Sequence, residues 1–200
     1  MIKSAAMSSA FDAAYFRRFY ESRRSRVYGS SEIDHLARGV TGFVRWFGGE
    51  IEKVLDVGAG TGLWKDWFQR NMPEVRYRSL DVSAYACERY GHERRDISAW
   101  RGREKFDLVV CQGVMPYLDD RACGRAIDNM AAMCRGFLYL ECITSRDLRE
   151  VVDRSRTDVT VRARPASFYR QLLARRFERL GCGLWHVKGG DAVFYDLERG

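Results

Sequence analysis

The sequence holds little that metal, redox or membrane chemistry could use. No apolar run approaches the ~20 residues needed to span a bilayer, and Met1-Ile2-Lys3-Ser4-Ala5-Ala6 contains no sustained apolar stretch of the kind that forms a secretory signal. The expected compartment is therefore the cytoplasm, with no membrane partner. Six cysteines (Cys87, Cys111, Cys123, Cys134, Cys142, Cys182) are scattered without a C-x-x-C pair, so neither a metal site nor a redox motif is expected. Most lie in apolar surroundings and read as small core residues rather than a disulfide framework. There is no internal repeat, no low-complexity segment and no lysine-rich tail. The net charge of +7 comes almost entirely from arginines interleaved with acids. That distribution fits a solvated surface better than a nucleic-acid footprint, although a nucleic-acid partner stays open. What is present suits a single domain over residues 1–200: 46% hydrophobic residues and five tryptophans, enough for a sizeable core.

The most informative stretch is Lys53 to Trp64, KVLDVGAGTGLW. Lys53–Val57 reads as a short buried strand, the glycines form a turn, and Leu63 onward begins a helical pattern. Strand, glycine turn and helix open a doubly wound α/β sheet, which binds ligands at the carboxyl ends of its strands. Glycine allows positive φ and leaves no Cβ between chain and ligand, and the N–H groups opening the next helix attract negative charge. A dinucleotide fingerprint would read G-x-G-x-x-G. Here the third glycine comes one residue early, giving Asp56-x-Gly58-x-Gly60-x-Gly62. An ordinary packing turn would not require three alternating glycines after an acid.

This pattern resembles motif I of the class I S-adenosylmethionine (SAM)-dependent methyltransferases, D/E-x-G-x-G-x-G, and the resemblance extends from Lys53 to the C-terminus. It implies an α/β fold: a seven-stranded, mostly parallel sheet of order 3-2-1-4-5-7-6 with strand 7 antiparallel, helices on both faces, and two leading helices. Residues 1–50 would form a helical lid or cap on a Rossmann-like core of residues 51–200. SAM would be the cofactor and S-adenosylhomocysteine (SAH) the product. The implied contacts at the first strand are Asp56, Gly58, Ala59, Gly60 and Gly62.

The second strand, Val75–Leu80, ends at Asp81, followed by Val82. An acid at this spacing accepts hydrogen bonds from ribose hydroxyls, and the competing reading is a cap on the helix starting near Ser83. The third strand, within Glu93–Ile97, ends at Asp96, and the resemblance assigns Asp96 and Ile97 to adenine. A surface acid capping the next turn is the alternative. The fourth strand, Phe106–Cys111, leads to Gln112-Gly113-Val114-Met115-Pro116-Tyr117. The Asn/Asp-Pro-Pro-aromatic motif of amino-methylating DNA enzymes and the Pro-Cys nucleophile of RNA cytosine-C5 enzymes are both missing. Gln112, Gly113 and Tyr117 remain as contacts to the methionine end or the acceptor.

Glu141 closes the fifth strand, Phe137–Cys142, as an acceptor contact, a base, or a structural partner of an arginine. A helix-like stretch, Ser8–Arg26, is rich in aromatics. It reads as an amphipathic helix on the sheet, or as a lid with Tyr15 or Tyr20 facing in. Ser31 is expected to cap the second helix, with Asp34 at the capping-box position. A helix is expected over Thr144–Asp153. Arg154 and Arg156, in the loop that follows, could hold a carboxylate or phosphate, or simply be solvated. Gly189-Gly190, between the β-like runs Leu184–Val187 and Ala192–Leu197, predicts a terminal hairpin. His186 reads as a core or edge residue, His35 and His92 as surface residues.

The implied chemistry is in-line displacement of the methyl group onto an oxygen or nitrogen of a small-molecule acceptor. RNA or protein methylation, or a non-catalytic SAM-binding module, are the alternatives.

Overall fold

The computed structural model describes residues 11–22 and 24–198. Its strands are β1 (Lys53–Val57), β2 (Arg76–Asp81), β3 (Glu93–Arg94), β4 (Phe106–Gln112), β5 (Cys134–Glu141), β6 (Phe177–Gly181) and β7 (Leu184–Val187). They form one sheet of order β3-β2-β1-β4-β5-β7-β6. Neighbours from β3 through β5 are parallel, and β7 is antiparallel to both β5 and β6. This is the sheet the glycine motif implied. β4 is buried along six of its seven residues, as an apolar central strand of a parallel sheet should be.

The helices are α1 (Ala13–Phe16), α2 (Ser30–Trp46), α3 (Leu63–Asn71), α4 (Ala84–Tyr90), α5 (Asp120–Met133), α6 (Asp147–Glu150) and α7 (Ala166–Leu173). α2 and α3 cover one face, where Ile33, Val40 and Val44 meet Trp64, Trp67 and Phe68 over Val54 and Leu108. α5 and α7 cover the other, with Ile127, Met130, Met133 and Leu173 on Val109 and Leu138. The parallel register brings Val57 level with Leu80 and Cys111, and Gln112 level with Glu141. The chemistry-bearing strand ends therefore lie along one edge of the sheet.

Several elements differ from expectation. The long leading helix is a single turn, α1, continued by a π turn at Arg17–Glu21 and ended by extended backbone at Ser22. Rings four residues apart meet at a tilt, Tyr15 with Phe19 and Phe16 with Tyr20, with ring centres 5.0 and 5.5 Å apart. Ser8–Ala10 and Arg23 lie outside the described residues. Gly29 caps α2 in place of Ser31. Its N–H donates to Glu32, while Asp34 turns outward to accept from Arg38 and from the Trp67 indole. β3 stops at Arg94 because the Asp96 carbonyl and carboxylate bend the chain by taking the N–H groups of Ala99, Trp100 and Ser98. β5 begins at Cys134 and ends at Glu141, one residue short of Cys142. The helix foreseen over Thr144–Asp153 is only the turn α6, where Asp147 accepts from the Thr144 N–H and hydroxyl.

The terminal hairpin is displaced by one strand: β6 pairs with β7 through Cys182-Gly183. Gly181, Cys182 and Gly183 all take positive φ there, which suits a tight reversal. Gly189-Gly190 instead follows β7, and a Cβ on Gly190 would meet the His186 ring at 2.7 Å. Ala192–Leu197 is no strand; its Phe194 packs on Phe47 and on His186, which is buried in β7. His35 is exposed, as expected. Among the described residues no helix is long and apolar enough to cross a membrane.

Candidate functional site

A cavity opens over the carboxyl ends of β1, β2 and β4. The glycine turn forms its floor. Gly58, Gly60 and Gly62 have φ of 73°, 58° and 78°. The N–H groups of Gly58 and Ala59 both donate to the Leu80 carbonyl, at 2.8 and 3.0 Å, stitching the turn to the tip of β2. The glycines serve different ends. A Cβ on Gly58 would lie 2.2 Å from Val114 Cγ2, so packing excludes it. Among the described residues, a Cβ on Gly60 would have only the Gly58 carbonyl within 4 Å, at 3.9 Å, so Gly60 is bare toward the cavity. That is a cradle a side chain would fill. Gly62 does not line the cavity; it opens α3 and faces His92.

Two carboxylates stand at the strand tips. Asp56 is buried and accepts from the Tyr77 hydroxyl at 2.6 Å. Burial pushes its carboxyl up to about 7, against the opposing pull of that hydrogen bond. Asp81 accepts from the Gly60 N–H at 2.9 Å and the Ser83 N–H at 2.8 Å, so one side chain ties the glycine turn to the entrance of α4. It caps and it lines the cavity, so the two readings are not exclusive. Burial raises its pKa, and the bonds from Ser83 and Gly60 oppose the rise. Val82, Asp96 and Ile97 complete this end, with Asp96 accepting from the Ser98 N–H at 2.8 Å.

His92, expected on the surface, is 7% exposed and braces the turn from beneath. Its Nε2 lies 3.1 Å from the Gly60 carbonyl and its Nδ1 2.8 Å from Ser79 Oγ. A carbonyl only accepts, so Nε2 carries the proton and Nδ1 accepts from Ser79 in the neutral ring. Nothing local in sequence marks this role, because the partners lie 13 and 32 residues away. Burial lowers the His92 pKa. A histidine with a depressed folded pKa contributes stability above its unfolded pKa and loses it as pH falls below about 6.5. His92→Ala should cost about 1–3 kcal/mol at pH 7.5 in urea unfolding. The gap between wild type and variant should narrow toward pH 5, and an unchanged gap would contradict the neutral, buried ring.

The opposite end is polar and aromatic. The Trp64 indole donates to Gln112 Oε1 at 2.9 Å, and Gln112 Nε2 donates to Glu141 Oε2 at 2.7 Å. The Tyr28 hydroxyl donates to Glu141 Oε1 at 3.0 Å. Gln112, Gly113, Trp64 and Tyr28 line the cavity, but Glu141 stands behind them. Its Oε2 accepts from the Gln112 amide and so fixes that side chain's orientation. The donors to Glu141 among the described residues, Gln112, Tyr28 and Tyr139, are neutral, and none is the arginine that sequence also allowed. Trp64 and Tyr28 were missed because each reads as a core aromatic.

Tyr15, Tyr20 and Tyr117 line the roof, with the Tyr15 and Tyr117 hydroxyls 2.7 Å apart. Burial raises the pKa of all three, most strongly by desolvation, so the hydroxyls stay protonated. Arg154 and Arg156 do not reach the cavity. Both are exposed and donate to main-chain carbonyls, of Leu148 and Arg26.

A family described as a methyltransferase domain matches residues 15–187. No curated protein matches. Similar solved structures include a S-adenosylmethionine-dependent methyltransferase from Clostridium acetobutylicum (13% identity, TM-score 0.62, covering 90% of this chain and 98% of that one). Another is the sugar N-methyltransferase KedS8 from Streptoalloteichus (20%, TM-score 0.61, 82% and 90%). A third is magnesium protoporphyrin IX methyltransferase from Synechocystis with bound SAM (17%, TM-score 0.57, 92% and 95%). At these identities the likeness is one of fold. The family match spans most of the chain and its bare glycine turn: the chain belongs to the methyltransferase domain family.

Proposed function

We propose that the chain is a SAM-dependent methyltransferase that methylates a small molecule. The observation that carries this reading is the cavity itself, where Gly60 leaves the turn uncovered directly beside the Asp81 carboxylate. Asp81 is suited to accept from vicinal ribose hydroxyls, and Asp96 with Ile97 to receive the adenine. Gly58, Ala59, Gly60 and Gln112 would flank the methionine end, with Gly62 supporting the turn from α3. When bound, SAM supplies an electrophilic methyl group on a sulfonium. The chain's part is to hold the acceptor in line with it and to exclude water, and positioning of this kind contributes roughly 7–11 kcal/mol in well-oriented systems. The aromatic segment Phe11–Tyr20 roofs the cavity and suits the role of a lid. Tyr15, Tyr20 and Tyr117 are the groups placed to meet an acceptor. The small neighbours that methylate sugars and porphyrins favour a small acceptor. The net charge of +7 favours RNA, yet the described residues lining the cavity include three acids, Asp56, Asp81 and Asp96, against one cation, Arg95. Six free thiols suit the cytoplasm.

Titration calorimetry with SAM tests the reading, followed by transfer of label from methyl-labelled SAM to fractionated cell extract. Binding with label in the small-molecule fraction supports it; label in RNA or protein moves the acceptor there; binding without transfer leaves a non-catalytic module. Asp56 adds a pH signature. SAM carries one more positive charge than SAH, and a cation in the cavity favours ionised Asp56. Raising pH from 6 to 8, through the Asp56 pKa of about 7, should therefore tighten SAM more than SAH. Equal pH dependence for the two ligands would remove Asp56 from the cofactor's surroundings.

A further inference from the structure

We infer that the methyl acceptor is a primary or secondary amine, received in an aromatic chamber walled by Tyr15, Tyr20, Tyr28 and Tyr117. This deepens the methyltransferase reading and rests on it. The argument runs through what the cavity offers each class of acceptor. A carboxylate or phosphate needs cations. Arg95 is the one cationic side chain among the described residues lining the cavity, and it is held at the β3 end, over the Trp100 ring and 4.0 Å from Glu93. An alcohol or phenol must lose its proton as it attacks, which calls for a base. The described lining contains no histidine or lysine. Asp81 and Asp96 each accept from main-chain N–H groups, Asp56 accepts from the Tyr77 hydroxyl, Glu141 stands behind Gln112, Asp158 is not among the described residues lining the cavity, and the tyrosines are held protonated by burial.

An amine needs neither cation nor base. Seven aromatic side chains of the described residues line the cavity, and Asp158 lies beside Tyr20 and Tyr117. Aromatic faces attract a cation such as an alkylammonium, and carboxylates add to that attraction. Desolvation among the rings also favours the free base, the form that attacks. The arriving ammonium sheds one proton to water. The nitrogen lone pair then forms the N–C bond as the C–S bond breaks, its electron pair passing to sulfur and neutralising the sulfonium. The product leaves as a methylated ammonium, still a cation, with no proton transferred to the protein in the methyl-transfer step. The Tyr15–Tyr117 hydroxyl pair and the Tyr28 oxygen supply hydrogen-bond partners for its N–H groups.

The experiment uses the full chain loaded with SAH. Calorimetry first measures SAH binding; without it the methyltransferase reading itself fails, a separate outcome. Three probes on one benzyl scaffold are then compared: benzyltrimethylammonium, its uncharged carbon isostere neopentylbenzene, and the anion phenylacetate. We expect the cation to bind the SAH complex about tenfold more tightly than the isostere, with phenylacetate weakest. An isostere or phenylacetate that binds as well as the cation, or a cation that does not bind at all, overturns the inference. Incubation with labelled SAM and cell extract gives a second readout. Label in small molecules that a cation exchanger retains at neutral pH, after residual SAM is removed, supports an amine; label in neutral or acidic products contradicts it.

Discussion

Gly60→Val is expected to abolish SAM binding while the seven-stranded sheet remains folded. The valine side chain projects into the space that the bare turn leaves open, where, among the described residues, only the Gly58 carbonyl lies within 4 Å of a Cβ. Backbone strain is the second effect. Gly60 has φ of 58°, a conformation that costs a β-branched residue about 1–2 kcal/mol. That penalty is a fraction of a small domain's stability, so circular dichroism should report a native fold at reduced midpoint. Gly58→Ala provides the contrast. Its added carbon would strike Val114 at 2.2 Å, so it should lose stability as well as binding. A Gly60→Val chain that binds SAM as wild type does would mean that the ligand does not rest on the turn.

Asp81→Ala gives the second large effect. The carboxylate serves two masters, the Gly60 and Ser83 N–H groups, in a site only 7% exposed. Its removal leaves both donors without their acceptor, at about 1–3 kcal/mol each, and takes away the proposed acceptor for the ribose hydroxyls. SAM affinity should fall by about 100-fold or more, with a measurable loss of stability. Asp81→Asn should be milder, since one oxygen remains to accept while the amide opposes the other N–H. The ribose role is separated from the structural one with 2′-deoxyadenosine and adenosine as competing ligands: the wild type should prefer adenosine, and Asp81→Asn should lose that preference. Equal preference in both proteins would confine Asp81 to shaping the turn.

The fold was legible where local pattern and long-range demand agree. The acid, three alternating glycines and apolar runs at β1 and β4 could serve few sheets other than the one formed, and the strand order followed from that resemblance. Legibility failed where a residue's role depends on contacts that sequence distance hides. His92 looks like a surface residue after a helix-ending glycine, yet it reaches back to Ser79 and Gly60. Gly189-Gly190 looks like a hairpin turn, but the reversal lies at Cys182-Gly183, because Arg176 and Phe177 pair back onto Lys188 and Val187. Glu141 was visible as a carboxylate at a strand end; that Gln112 stands between it and the cavity follows only from side-chain packing. Arg154 and Arg156 show the converse: a suggestive spacing whose guanidinium groups go to the main-chain carbonyls of Leu148 and Arg26.

A crystal structure of the chain grown with SAH tests the central claim most directly. The account predicts the adenosine at the tips of β2 and β3, its sugar hydroxyls within hydrogen-bond distance of Asp81, and the ligand backbone in van der Waals contact with the Gly60 Cα. Electron density for SAH at any other place on the molecule, or a Gly60 turn left uncovered by bound ligand, would contradict it.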